Sequence, residues 1–192
     1  MDKKERLLTA ATKIFAREGY KDASVDDIVK SAAVAKGTFY YYFKSKDDLF
    51  LALIGTGTEK LSEQMLSESN KYSDPIEKVR AIMISQYDFF AKNEDLCRVL
   101  LSEIWRFESK WKQKYQIKRN QYIKAMKLAI EFGQNANIFS KEIDSSVASI
   151  AIFGLIATSA LDRTVSGEKL TSGVKNTVTK IAIRGLVEPN NN

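Results

Sequence analysis

The chain has 192 residues, 44% hydrophobic and 28% charged, with a net charge of +6 and a pI near 9.2. That is apolar enough for a packed core, which argues against wholesale disorder, and basic enough to be compatible with a polyanionic partner without requiring one. Histidine is absent and Cys97 is the single cysteine, which excludes Ser-His-Asp and Cys-His catalysis, the usual zinc sites and an internal disulfide; no cofactor or metal is implied.

Helical periodicity dominates from the start, and strand-like alternation is scarce. Leu7, Ala11, Ile14 and Phe15 form one stripe, closed by Gly19 as a helix stop. Ser24-Val25-Asp26-Asp27 then has the form of a capping box, with an acid three residues after serine, and Ser45-Lys46-Asp47-Asp48 repeats it. Between these two starts, VDDIVKSA makes a short helix, AVA a tight turn and KGTFYYYF a second short helix. Two short helices across a three-residue turn, preceded by a longer one, read as helix-turn-helix. The next helix begins near Lys46, so the chain divides into a helix-turn-helix domain, residues 1–46, and a helical body, residues 47–192.

The run Phe39 to Phe43 holds five consecutive aromatic residues. At about 100° per residue, Phe39 and Phe43 share one face, where Val34 also packs. Gly37, Thr38, Tyr41 and Tyr42 fall opposite, with Lys36 and Tyr40 at the margins. Phenol hydroxyls donate to phosphate oxygens and their rings meet thymine methyl groups. Gly37 permits close backbone approach, and Lys36, Lys44 and Lys46 add ammonium groups, the last at a helix N-terminus that itself favours phosphate. The plain alternative is a core helix whose tyrosines simply reach water.

Residues 7–50, with AATKIFAREGY, SVDDIVKSA, AVAKGTFYYYF and KSKDDL, resemble the DNA-binding domain of the TetR family of transcriptional regulators. The resemblance implies an all-α protein: a three-helix head on a ligand-binding and dimerisation body of further helices, about nine in all. By position it assigns DNA contacts to Lys36, Gly37, Thr38, Tyr40, Tyr41, Tyr42 and Lys46, with Ser24 and Val25 as further candidates. Two departures stand out. Ala33 occupies the usual turn glycine, and Ala35 a position that is often serine. An alanine at a positive-φ position costs about 1 kcal/mol, and a lost serine cap costs about the same.

In the body, Ile76, Val79, Met83, Tyr87 and Phe90 follow Pro75, a residue suited to a helix start. Leu96, Val99, Leu100 and Ile104 form the next stripe, with Cys97 as a buried structural thiol among them. Tyr115, Tyr122, Met126 and Ile130 form another, on a basic helix with no acid from Ser109 to Lys127; a solvated face explains that charge most simply. Gly55 and Gly57 cost a helix up to about 1 kcal/mol each, so they either loosen the connecting helix or serve close packing. DSSVASIAIFGLIATSAL is apolar around nearly its whole circumference, and Val174, Val178, Ile181 and Gly185 follow heptad-like spacing on the final helix.

The resemblance implies that these last two helices form a homodimer. It also implies a small-molecule pocket among the middle helices, walled by Met83, Tyr87, Phe90, Trp105, Tyr122, Met126, Ile152 and Phe153, with Glu103 and Arg106 placed to orient a polar group. Each of these residues is more often plain core than a ligand contact.

The N-terminus MDKKERLL lacks an apolar run of signal-peptide length. The longest apolar region, within Ser149 to Leu161, falls short of the roughly 18 residues a bilayer needs, so a cytoplasmic protein with no membrane partner is expected. The leading reading is a homodimeric repressor of double-stranded operator DNA, released by an apolar or aromatic inducer. A DNA-binding protein controlled by a protein partner, or an architectural one, is the alternative. An enzyme using Asp88, Glu103 or Asp162 lacks any supporting pocket motif, so the chain reads as no enzyme.

Overall fold

A computed structural model describes residues 1–104, 112–168 and 171–187, without the side chains of 101–104, 112–119, 121, 122 and 164. These residues form nine α-helices: α1 Lys3–Glu18, α2 Val25–Ser31, α3 Lys36–Tyr42, α4 Lys46–Ser69, α5 Pro75–Lys92, α6 Glu94–Ile104, α7 Lys112–Asn135, α8 Ser145–Val165 and α9 Ser172–Leu186. The expected all-α class and helix count hold. The described residues divide into two compact units, those within 1–57 and 93–116, and those within 58–92 and 117–187.

In the first unit each short helix is started and stopped by a local device. Asp2 and Glu5 form a capping box on α1, Glu5 N–H donating to Asp2 Oδ1 at 2.7 Å and Asp2 N–H to Glu5 Oε2 at 3.1 Å. Gly19, at φ 82°, ends α1 with its N–H donating to the Phe15 carbonyl at 3.0 Å. Ser24 Oγ accepts from Asp27 N–H at 3.1 Å to start α2, and Ser45 Oγ accepts from Asp48 N–H at 3.1 Å to start α4. Between α2 and α3, Ala33 takes φ 49°. This is the left-handed turn conformation the sequence implied, carried by an alanine.

The core of this unit contains Leu7, Ile14 and Phe15 from α1, Ile28 from α2, Phe39 from α3, and Phe43, each at most 3% exposed. Burying each such side chain contributes about 1.5–3 kcal/mol. Leu49, Phe50, Leu53 and Ile54 of α4 belong to the same core, as do Val99 and Leu100 of α6. The compact unit therefore continues past residue 46, because these α4 side chains complete it. α4 runs unbroken through Gly55 and Gly57. A Cβ on Gly57 would lie 2.9 Å from Leu96 Cδ2, the end of a side chain that can shift, so α4 runs close to α6 at this glycine. Cys97 is 6% exposed, and burial pushes its thiol well above the ordinary range, which keeps it protonated.

In the second unit α5 is central, packing on both α8 and α9. Pro75 opens it, as expected. From Ile82 to Phe90 almost every residue is buried, so the helix has little solvent face to give it an amphipathic signature. The α7–α8 connection is fixed by side chain and backbone together. Gln134 Nε2 donates to the Ser140 and Ile143 carbonyls at 2.9 and 2.7 Å, and Ser140 N–H donates to the Leu186 carbonyl at the end of α9 at 2.9 Å.

α8 corrects one expectation. Its window Ser145–Arg163, 19 residues, is long and apolar enough to cross a membrane by length and composition. The shorter run counted in the sequence stopped at serines and threonines that a helix tolerates. Ile152, Ile156 and Ala160 are buried in the unit, while Val147, Ile150 and Leu155 on the same helix are exposed.

Candidate nucleic-acid interface

α3 is two-sided. Phe39 is 0% exposed and Phe43, just past its end, 3%, whereas Tyr40 is 54% and Tyr41 81% exposed. The sequence dictates this split. Phenylalanines four apart meet on one helical face, and three tyrosines between them cannot all follow. Tyr40 packs edge-on to Phe39, with centroids 5.2 Å apart, and remains exposed. Tyr42 is half-buried against the core and braces Tyr41 edge-on at 4.9 Å. Tyr42 therefore differs from the fully outward position that the wheel assigns it; a seven-residue helix turns only one narrow face to solvent.

Lys36 and Gly37 open α3 and are exposed, and Thr38 is half-exposed. No atom lies within 4 Å of where a Gly37 Cβ would stand, leaving open space in front of the backbone. Ala35, at the N-cap, makes no side-chain hydrogen bond, so the α3 terminus lacks the cap a serine would give. Lys36 Nζ pairs with Asp26 Oδ1 at 2.7 Å, both groups exposed. The hydrogen bond that Lys36 donates to the Asp26 carboxylate, and then the carboxylate's charge, raise the lysine above its ordinary pKa. The sequence named Lys36 but not this counter-ion on the preceding helix, whose only signal was an acid in the first turn of α2. Ser24 is exposed but its hydroxyl is engaged as the α2 cap, and Val25 packs partly against the core.

Lys46 has another occupation. Its ammonium donates to the carbonyls of Tyr20, Lys21 and Ala23 at 2.7, 3.1 and 2.7 Å. All three N–H groups are used inside the fold, so the free cation expected for a phosphate is committed to backbone oxygens.

Of the expected ligand residues, Met83, Tyr87, Phe90, Met126 and Ile152 are buried in the second unit and Phe153 is half-buried. Phe90 of α5 and Phe153 of α8 meet edge-on at 6.3 Å, and Tyr87 Oη shares a hydrogen bond with Ser159 Oγ at 2.6 Å. Burial raises the Tyr87 pKa, partly offset by that bond. Trp105 and Arg106, and the side chains of Glu103 and Tyr122, lie outside the described residues. A groove of about 460 Å³ between α7 and α8 is lined by Ile123, Lys124, Lys127, Glu131 and Ile150 among others, and by none of the expected pocket residues. Asp88 pairs with Lys175 of α9.

A short helix that anchors two rings in the core and presents hydroxyls, an ammonium and an open backbone defines the protein as a helix-turn-helix DNA-binding transcriptional regulator. The family model for bacterial regulatory proteins, tetR family, matches residues 7–53, and that for the tetracyclin repressor-like C-terminal domain matches residues 72–186. The chain belongs to the tetR family. It is 23% identical over 182 residues to the fatty acid metabolism regulator protein of Bacillus subtilis (strain 168), covering 94% of each chain. Its fold matches the fatty acid degradation regulator FadR of Bacillus halodurans at a TM-score of 0.89, 23% identity and 97% coverage of both chains. It also matches FadR from Bacillus subtilis in complex with stearoyl-CoA, at a TM-score of 0.87, 23% identity, and coverage of 95% of this chain and 98% of that one.

Proposed function

We propose that the protein is a cytoplasmic, homodimeric repressor whose α3 enters the major groove of an operator, and that a long-chain acyl thioester bound in the body releases it. The observation that carries the DNA reading is the outward set Lys36, Gly37, Thr38, Tyr40 and Tyr41 on a helix whose opposite side is locked by Phe39 and Phe43. Tyr42 contributes from the margin, and Ser24 and Val25 flank the site at the start of α2. Lys46 acts on DNA only through the fold it holds.

The dimer is supported by the apolar surface that α8 and α9 leave uncovered. Val147, Ile150, Leu155 and Val165 are 41–74% exposed on α8, and Ile181 is 56% exposed on α9, where Val174 and Val178 are half-exposed. A two-fold dimer sets two α3 helices in successive major grooves, roughly 34–36 Å apart. The ligand class is supported by an apolar interior holding Met83, Phe90, Met126 and Ile152, and by the stearoyl-CoA carried by a full-length structural relative.

Selection of bound sequences from random DNA, at stated salt, tests the first part. Two-fold symmetric sites are expected, and enrichment of no sequence, or of unpaired half-sites alone, would overturn it. Titrating palmitoyl-CoA into the resulting complex tests the second part. Release at micromolar ligand supports it, and undiminished DNA binding at saturating ligand rejects it.

A further inference from the structure

Gln86 stands near the middle of α5, 1% exposed, and its Nε2 has no hydrogen-bond partner among the described residues. Buried amides are ordinarily paired, so an orphaned donor in a well-packed helix calls for a reason. Ser85 Oγ and Thr179 Oγ1 are also unpaired. A serine or threonine hydroxyl on a helix can reach the carbonyl one turn back by rotation about a single bond. A glutamine amide carries two N–H groups on a longer arm and lacks that local remedy.

Position decides what Gln86 faces. Met83, Gln86 and Phe90 fall at i, i+3 and i+7, on one stripe of α5. Phe90 on that stripe meets Phe153 of α8, and Met83 is fully buried. The Tyr87 hydroxyl, on the next residue of the helix, is engaged with Ser159. None of the described buried side chains is charged.

We infer that Gln86 is the polar anchor of the ligand site, its amide donating to the carbonyl oxygen of an acyl thioester or ester whose chain lies along the Met83–Phe90 stripe. This rests on the ligand class proposed above. A neutral donor in an uncharged interior matches a neutral carbonyl. A ligand carbonyl would then pair a donor that no described side chain or backbone group pairs.

The variant Gln86→Met keeps length and volume while removing the amide, with Gln86→Leu as a second variant should the first fold poorly. The expected result is a pair of opposite changes. Thermal unfolding of the free protein moves to equal or higher temperature, because the orphan is gone, and the affinity for palmitoyl-CoA falls by about tenfold, with operator affinity unaltered. Ser85→Ala leaves palmitoyl-CoA binding unchanged. Palmitoyl-CoA affinity of the Gln86 variants within twofold of wild type, or a lowered unfolding temperature in both, would overturn the assignment. Wild-type protein that binds no palmitoyl-CoA would instead overturn the ligand reading itself, and the anchor with it.

Discussion

The ammonium of Lys46 lies 4.5 Å from the centroid of the Tyr20 ring and 2.7 Å from the Tyr20 carbonyl oxygen. Two more carbonyls, of Lys21 and Ala23, take its remaining N–H groups, and the neighbouring Asp47 accepts from the Tyr20 hydroxyl. The start of α4 is thereby fastened to the connection between α1 and α2, by charge-assisted hydrogen bonds and a cation–π contact.

Lys46→Met is expected to destabilise the head by about 1–3 kcal/mol, since the carbonyls it leaves are partly accessible to water. Urea unfolding followed through the tyrosine signal measures this. The slope of log affinity for DNA against log salt should stay as in wild type, because the ammonium meets no phosphate. A slope smaller by about one unit would place Lys46 on the DNA backbone instead.

Lys36 and Asp26 give the converse case. The pair is exposed, so it adds little stability, but it decides what a phosphate must displace. Lys36→Ala should flatten the salt slope by up to about one unit and weaken binding to all sequences alike. Asp26→Asn should free the ammonium and strengthen binding severalfold at low salt, an advantage that fades as salt rises. Filter binding at several salt concentrations reads both. Asp26→Asn without effect at low salt would mean the carboxylate does not compete.

The head was legible because its signals are local. Caps at Ser24 and Ser45, the stop at Gly19 and the four-residue spacing of Phe39 and Phe43 each act within one turn of helix, and each appears where the sequence put it. The fate of Lys46 was not legible, since its partners are carbonyls some 23–26 residues away and backbone oxygens leave no mark on residue identity. Asp26 was readable only as a helix-start acid, because its pairing with Lys36 depends on how the turn at Ala33 folds the two helices together. In the body, α5 is buried on nearly every side, so periodicity could name Met83, Tyr87 and Phe90 but could not single out Gln86 between them.

The turn itself is open to improvement. Ala33 holds φ 49° with a Cβ that this region disfavours, and its carbonyl accepts from Arg6 Nη2 at 2.8 Å. Ala33→Gly should stabilise the head by about 0.5–1 kcal/mol, the relief of strain exceeding the added freedom of the unfolded chain. Ala35→Ser should add a similar ~1 kcal/mol by capping α3. The two act on different groups, so the double variant should approach the sum in denaturant melts. Destabilisation by Ala33→Gly would show that this backbone is not strained in solution.

Gly133 is required by close approach. A Cβ there would stand 2.1 Å from Phe139 Cδ2, and Phe139 is 1% exposed and held by the bonds that tie the α7–α8 connection to α9. The ring cannot retreat without breaking that connection. Gly133→Ala should cost about 1–3 kcal/mol despite the better helix propensity of alanine. Adding Phe139→Leu should recover part of the loss, and no recovery would mean that the clash lies with the backbone.

The exposed apolar stripe of the last two helices makes the sharpest demand on assembly. Ile181 sits at the heptad-like position of α9, 56% exposed, with Lys180 and Arg184 beside it also in solvent. In a monomer, Ile181→Glu is a surface change worth little, within about 0.5 kcal/mol. In a dimer closed by this stripe, the same change places two carboxylates near a two-fold axis, where burial and like charge both oppose association. Sedimentation equilibrium should therefore show a dimer for the wild type and a monomer for Ile181→Glu, with the helical circular dichroism of the fold retained. Operator binding should fall by several orders of magnitude, because two heads no longer arrive together, while binding to random DNA at low salt falls far less. An Ile181→Glu protein that remains dimeric would move the subunit contact away from α9.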